Sequence, residues 1–365
     1  MKLGFYCFDN AGGDALKIVA EEAKSRGHEV VNPVKQLPVS DEAMVALLDC
    51  DAVVTGLSSF ETDMELNVVR WLRSEIPWFV FEDVPEAALR PKAKELAYRA
   101  KLVFAAHPSG AQAVQDFGYA GSVCLGPPSQ WRAEYEGVMA AKANNARSEI
   151  SKTRRPSNTA AIMNLKDACT VWSLEGNDKV VGIILGKDPD ENNRILRLLK
   201  DALSELGDSY VLAISQHPGE KATKTEDKDR FEGAFAERKE ILSGIWHFDS
   251  GWKGAKLAGN VDVLVSGSGS NITIASAYAR VSQVWLDDEG VRARMRAQTG
   301  KDTWFVAELG GMLVADGVGD LGPMIKTALS ERGRQYLLQM QENNFPLPED
   351  WHTEKKIVDL LEKLK

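Results

Sequence analysis

Val261-Asp262-Val263-Leu264-Val265 runs straight into Ser266-Gly267-Ser268-Gly269-Ser270-Asn271, and a helix-compatible stretch, Ile272 to Arg280, follows directly. Strand, small-residue loop and helix start, in that order, leave backbone N–H groups and the positive end of a helix dipole facing an anion. Glycines carry no Cβ, so a phosphate can approach the main chain. Gly267, Ser268, Gly269, Ser270 and Asn271 are therefore the expected phosphate-binding residues, and the ligand a phosphorylated or nucleotide-bearing one. The loop names a ligand class and leaves the reaction open.

Short β-rich runs alternate with helical periods on both sides of this loop. Before it, strands are expected at Leu3–Phe8, Glu29–Asn32, Ala52–Thr55, Trp78–Phe81, Leu102–Ala105 and Ser122–Leu125, then at Val180–Leu185, Tyr210–Ile214 and Ile245–Phe248. After it come Val281–Leu286 and Trp304–Val306. Strands apolar on both faces and separated by helices imply parallel sheets covered on both sides. Pro127 to Asp178 breaks the pattern with paired prolines, a polar helix-like stretch and the basic, turn-rich Ser151-Lys152-Thr153-Arg154-Arg155. A chain of 365 residues exceeds one ordinary core. The expected organisation is an acceptor domain at 1–128, a linker region at 129–178, a nucleotide-binding domain at 179–331 and C-terminal helices at 332–365. The fold class is α/β, with two doubly wound Rossmann-like domains facing across a cleft.

Composition narrows the partners. Hydrophobic content of 44% and charged content of 27% are those of a soluble globular protein. A net charge of −9 argues against nucleic acid, whose binding normally needs a basic face, while a locally positive pocket can still take a small anion. No apolar run approaches the roughly 18–20 residues of a membrane span, and the first strand is too short for a signal-peptide core. Cys7, Cys50, Cys124 and Cys169 are scattered without metal-ligand spacing, so buried reduced thiols, no metal and a cytoplasmic location are expected. Homo-oligomerisation is left open.

In open parallel sheets ligands bind beyond the carboxyl ends of strands. There the sequence places Gly12 and Gly13, read as an acceptor-side turn, together with Lys187 and His217, read as partners of a diphosphate. His107 is the first choice for a general base, since an imidazole titrates near neutrality; Asp14 and Glu82 are the alternatives if burial raises their pKa. Gly267-x-Gly269 also opens a dinucleotide fingerprint, with Asp287 downstream, but its third glycine position is Ile272. There is no Walker A sequence and no His-Glu-x-x-His helix.

The order of these pieces resembles the GT-B superfamily of nucleotide-sugar glycosyltransferases and its relatives, the UDP-N-acetylglucosamine 2-epimerases. Gly12-Gly13 followed by Arg26-Gly27-His28-Glu29-Val30 is similar to the opening of many such enzymes, and Leu125-Gly126-Pro127-Pro128 to the end of their first domain. Gly186-Lys187 and Ser266–Asn271 match their diphosphate-binding loops, and the last helices resemble those that brace the N-terminal domain. The resemblance implies a glycosyltransferase without a cofactor, using a nucleotide sugar, UDP-linked, and a carbohydrate, lipid or protein acceptor. It leaves a 2-epimerase-like enzyme or a non-catalytic sugar-nucleotide binder as alternatives. Where those epimerases carry adjacent acids this chain has Ala275 and Ser276, and Asp287-Asp288-Glu289-Gly290 replaces their arginine-rich stretch. Glu308, before Gly310-Gly311, is one half of the glutamate pair of many retaining transferases.

Overall fold

The structure is a computed structural model and describes residues 1–8, 10–32, 41–57, 63–72, 74–90, 93–119, 121–145, 151–154, 170–174, 176–217, 228–249, 252 and 254–363. Two compact units emerge: residues 1–133, 293–305 and 347–365 form the first, and 134–292 with 306–346 the second.

In the first unit β1 (Lys2–Tyr6), β2 (Glu29–Val31), β3 (Ala52–Thr55), β4 (Trp78–Glu82), β5 (Leu102–Ala105) and β6 (Gly121–Cys124) make one parallel sheet in the order β2-β1-β3-β4-β5-β6. Alternation along each strand sends Leu3, Phe5, Val54, Phe79, Phe81 and Phe104 to one face. There they meet Leu16 and Val19 of α1 (Asn10–Ser25) and Ile357, Val358 and Leu361 of the final helix, Thr353–Glu362. Val80 and Val103 point the other way, onto α3 (Asp63–Trp71), α4 (Ala93–Arg99) and α5 (Pro108–Asp116), through Leu66, Val69, Leu96 and Val114. The helix α2 (Asp41–Leu48) adds Leu47 on that side. Sheet faces covered on both sides account for strands that read as apolar throughout.

Arg26 and His28 of the Arg-Gly-His-Glu-Val stretch clamp the final helix. The Arg26 guanidinium donates to Glu22 at 2.7 Å, Asp359 at 2.5 Å and Glu362 at 3.3 Å, and His28 Nε2 lies 2.8 Å from Glu362. Gly27, at φ +84°, makes the left-handed turn between them. Arg26→Ala is expected to cost about 1 kcal/mol in dilute buffer and visibly less in high salt, as a partly exposed ion-pair network should. Urea midpoints at two salt concentrations check it.

The second unit has β9 (Lys179–Ile184), β10 (Tyr210–Ser215), β11 (His247–Asp249), β12 (Val263–Ser266), β13 (Gln283–Asp287) and β14 (Leu313–Asp316) in parallel, ordered β14-β13-β12-β9-β10-β11. Chain order reverses between β9 and β12, as in a Rossmann sheet. Two shorter strands, β7 (Ser151–Arg154) and β8 (Thr170–Ser173), extend it antiparallel beyond β11. The expected linker at 129–178 is thus, in its described part, the helix α6 (Ser129–Asn144) and the two antiparallel strands at the edge of this sheet. Val138 of α6 joins Val180, Val211, Leu257 and Leu264 in the core, and Gly259 lets α9 (Gly254–Asn260) approach α6, since a Cβ there would lie 2.5 Å from Ala141.

Two more expectations change. Trp304–Val306 is not a strand: Phe305–Glu308 is a one-turn helix, α12, and the sixth strand of the Rossmann order is β14. Gly12 and Gly13 are not a turn, because α1 begins at Asn10 and both lie in its first turn. The remaining described helices are α7 (Pro189–Leu206), α8 (Lys228–Leu242), α10 (Asn271–Tyr278), α11 (Glu289–Thr299), α13 (Val318–Leu329), α14 (Glu331–Asn344) and the final one, α15. Cys7 and Cys50 are buried and Cys124 is half-buried, while Cys169 lies outside the described residues.

Candidate functional site

The reversal point of the second sheet gathers the predicted phosphate loops on one edge: Gly186 and Lys187 leave β9, His217 follows β10, and Ser266–Asn271 leaves β12. The serine-glycine loop is shaped by its own hydroxyls. Ser266 Oγ donates to the Ser268 carbonyl at 2.7 Å and accepts the Ser268 amide at 3.3 Å. Ser270 caps α10, accepting the Ile272 amide at 3.3 Å, and its carbonyl takes the Thr273 hydroxyl at 2.6 Å. The amides of Gly269 and Asn271 are not used by these side chains, and residues 268–271 are half-buried rather than packed shut. Beneath, Gly267 closes onto the core, where a Cβ would stand 3.0 Å from Ile195 and 3.1 Å from Val291.

Electrostatics separates α10 from α7 and α11. The first turn of α7 carries Asp190 and Glu191 behind the capping Asp188, with Arg230 2.5 Å from Asp190 and 3.1 Å from Asp188. The amide of Val291 in α11 is taken by Asp288, which also pairs with Arg194. Those helix starts already hold carboxylates. The first turn of α10 has no acidic residue of its own, and Ser270 caps it.

A residue outside the expected set fixes the first loop. Buried Asn192 accepts the Gly186 amide at 2.8 Å and donates to the Gly186 carbonyl at 2.9 Å. A polar residue one turn into a helix after Gly-Lys-Asp was the available signal. Lys187 is exposed and His217 half-buried. Pro218 to Glu220, like Ser58, Ser59, Ser250 and Gly251, lie outside the described residues. Gln283, fully buried, donates to the Thr273 carbonyl at 3.1 Å and ties α10 to β13.

In the first unit Glu82 ends β4, and His107 follows β5 on the neighbouring strand. Glu82 is fully buried; it accepts the Ala88 amide at 3.0 Å, and its second oxygen has no partner. Burial pushes its pKa up to about 8, against the opposing pull of the Ala88 and Glu86 amides. Gly110, at the start of α5, leaves room for it, since a Cβ there would come within 2.2 Å of the carboxylate oxygen. His107 caps α5: Nδ1 accepts the Ser109 amide at 3.2 Å, so the neutral ring carries its proton on Nε2. Its ring lies against Phe305, centroids 5.7 Å apart. Nearby, Lys301 pairs with Glu86 at 2.6 Å, holding a residue with φ +67°.

Asp14 is different. Its side chain is 58% exposed and pairs with Lys17 at 3.4 Å, lacking the burial a neutral-pH base requires. The buried acid beside Gly12 is instead Asp83, whose carboxyl carbon lies 3.7 Å from where a Gly12 Cβ would be. Asp83 therefore meets the first turn of α1, a helix start without an acid of its own. Glu308 is exposed at the end of α12, and the following Gly310 and Gly311 pack on Met340 and Phe345. Among the described residues no cluster of His, Cys, Asp and Glu suits a metal ion, and no helix is long and apolar enough to cross a membrane.

Two Rossmann-like α/β units with these sheet orders define the GT-B fold, which the chain shares with solved structures over its full length. It is similar to UDP-GlcNAc 2-epimerase from Neisseria meningitidis bound to UDP-GlcNAc, with a TM-score of 0.61, 11% identity and 100% of both chains covered. It is also similar to Acinetobacter baumannii MurG, with a TM-score of 0.54, 14% identity and 99% of each chain covered. Anabaena Alr3699/HepE in complex with UDP and glucose aligns over 100% of both chains, with a TM-score of 0.53 and 12% identity. No family model matches the sequence, and no curated protein does.

Proposed function

We propose that the protein is a glycosyltransferase that takes a sugar from a UDP-linked donor held by the second unit and passes it to an acceptor engaged by the first. The observation that carries this reading is the acid-free start of α10 at the reversal point of a Rossmann sheet. Structures that share the fold hold UDP-GlcNAc in one case and UDP with glucose in another. In the reaction the bond between the anomeric carbon and the diphosphate breaks as the acceptor oxygen bonds to that carbon, and the acceptor hydroxyl's proton passes to an oxygen of the departing diphosphate. Amides at Gly269 to Asn271, with Lys187 or His217, stabilise the charge that gathers on the departing diphosphate. Calorimetric titration with UDP, then UDP release with and without an acceptor panel, tests the proposal. Release dependent on an acceptor supports transfer; acceptor-independent turnover would replace it with an epimerase or hydrolase. Ala275 and Ser276, fully buried and uncharged where the resemblance to epimerases places acids, favour transfer.

The role of His107 follows from its tautomer. Protonating Nδ1 would break the α5 cap and set a cation at a helix N-terminus, so the ring is built to donate through Nε2. His107→Ala is expected to lower kcat more than it raises the donor KM. His107→Gln, which keeps a donor, should recover at least tenfold of the loss; no recovery would return His107 to the role of base.

A further inference from the structure

The outer face of the first unit carries large aromatic side chains in the open. Trp71 at the end of α3 is 70% exposed, Tyr98 on α4 65%, and Phe117 just after α5 54%. Trp71 stands on α3, which packs beside the α4 that carries Tyr98, and Tyr98 and Phe117 meet the same third ring. Tyr119 stands edge-on to Tyr98, centroids 6.2 Å apart, and 5.9 Å from Phe117. Lys94 Nζ lies 5.1 Å from the Phe117 ring centre. Arg70, next to Trp71, reaches across to Glu95 of α4 at 3.0 Å, and Arg99 approaches the same carboxylate at 3.4 Å. Scattered exposed apolar residues are ordinary, but a linked aromatic group is not.

The charge of this face opposes that of the chain. Arg70, Lys94, Arg99 and Lys101 are exposed on these elements, and among the described residues the acids there are Glu95, shared by two arginines, Asp116, bonded to Gln112 at 2.7 Å, and Glu75, exposed beyond the end of α3. A protein of net charge −9 thus presents a cationic, aromatic surface here. Amphipathic Trp and Tyr rings settle at the headgroup level of a bilayer, and Lys and Arg add attraction to anionic lipid. A neutral protein partner would use the rings without the cations.

We propose that Trp71, Tyr98 and Phe117, ringed by Arg70, Lys94, Arg99 and Lys101, dock the first unit on an anionic lipid surface. Binding is peripheral, by side chains in the headgroup layer. The surface acts independently of the sugar-nucleotide loop, so the two proposals fail separately. Vesicle flotation of the full chain provides the test, using phosphatidylcholine alone or mixed with phosphatidylglycerol. At least tenfold more protein should float with the mixed vesicles, and half-molar salt should release most of it. Combined Trp71→Ser, Tyr98→Ser and Phe117→Ser should abolish flotation while UDP titration and thermal unfolding stay as in the wild type. Arg99→Glu with Lys101→Glu, which spares the rings, should weaken it at least fivefold. Equal flotation of the aromatic variant, or no flotation of the wild type, overturns the proposal. So does a wild-type dimer in sedimentation that the aromatic variant turns monomeric, since a second copy would then be the occupant.

Discussion

Gly269→Asp should lose at least 100-fold in UDP affinity while unfolding at the wild-type temperature or slightly above it. Gly269 does not have a positive φ, so an aspartate fits its backbone without strain. An acid just before α10 also suits the helix dipole, which at an exposed site is worth about 0.3–1 kcal/mol. The variant would thus gain slightly in folding while losing function, because its carboxylate takes the place intended for a phosphate. A hundredfold loss corresponds to about 2.7 kcal/mol. That is a modest demand on a direct clash between like charges in a half-buried loop. Calorimetric titration and a thermal melt on the same sample separate the outcomes. Unchanged UDP affinity would remove the loop from the site, and a collapsed melting temperature would show that the glycine is there for folding.

Glu82→Gln should remove a large part of the pH dependence of stability between pH 4.5 and 8. The folded protein holds the Glu82 proton far more tightly than the unfolded chain, with a pKa of about 8 against 4.5. The stability linked to that proton is present in full below pH 4.5 and is lost as pH rises through 8. At about 1.4 kcal/mol per unit, the loss over this window is on the order of 5 kcal/mol. Glutamine keeps an oxygen for the Ala88 amide and has no charge to bury. Chemical denaturation at pH 5, 6, 7 and 8 should give wild-type and variant curves that diverge steadily, the variant being the more stable at the alkaline end. Parallel curves would mean that Glu82 ionises in place, with water or a moved α5 meeting its charge.

What the sequence made legible was what periodicity and loop chemistry encode. The run Val263 to Val265, buried on both faces, and the small residues after it read correctly as strand and loop. Trp304–Val306 has the β-branched and aromatic character of a strand, but Phe305 and Val306 are buried in a one-turn helix. Gly12 and Gly13 looked like a turn because glycine weakens helix interiors, yet in a first turn the penalty is small and the missing Cβ admits Cys7 and Asp83. The helices Lys228–Leu242 and Glu289–Thr299 are hard to read from the sequence because their charged residues mask the buried stripe of Ala234, Arg238 and Ile241 in one and Val291 and Met295 in the other. The candidate site was legible as loops, not as partners. Nothing local announces that Asn192 holds Gly186, that Gln283 holds α10, or that a missing side chain at Gly110 makes space for Glu82.

The path of the chain limits how this protein can be cut and recombined. The first sheet owes part of its hydrophobic interior to Ile357, Val358 and Leu361 of α15, and Gly300 sits against Leu89 from an excursion between β13 and β14. Residues 1–133 expressed alone would leave the α1 side of that sheet bare of its terminal cover. A chimera that borrows an N-terminal half from a relative would likewise have to import the matching tail, so the heritable module here is assembled from three separate stretches of sequence.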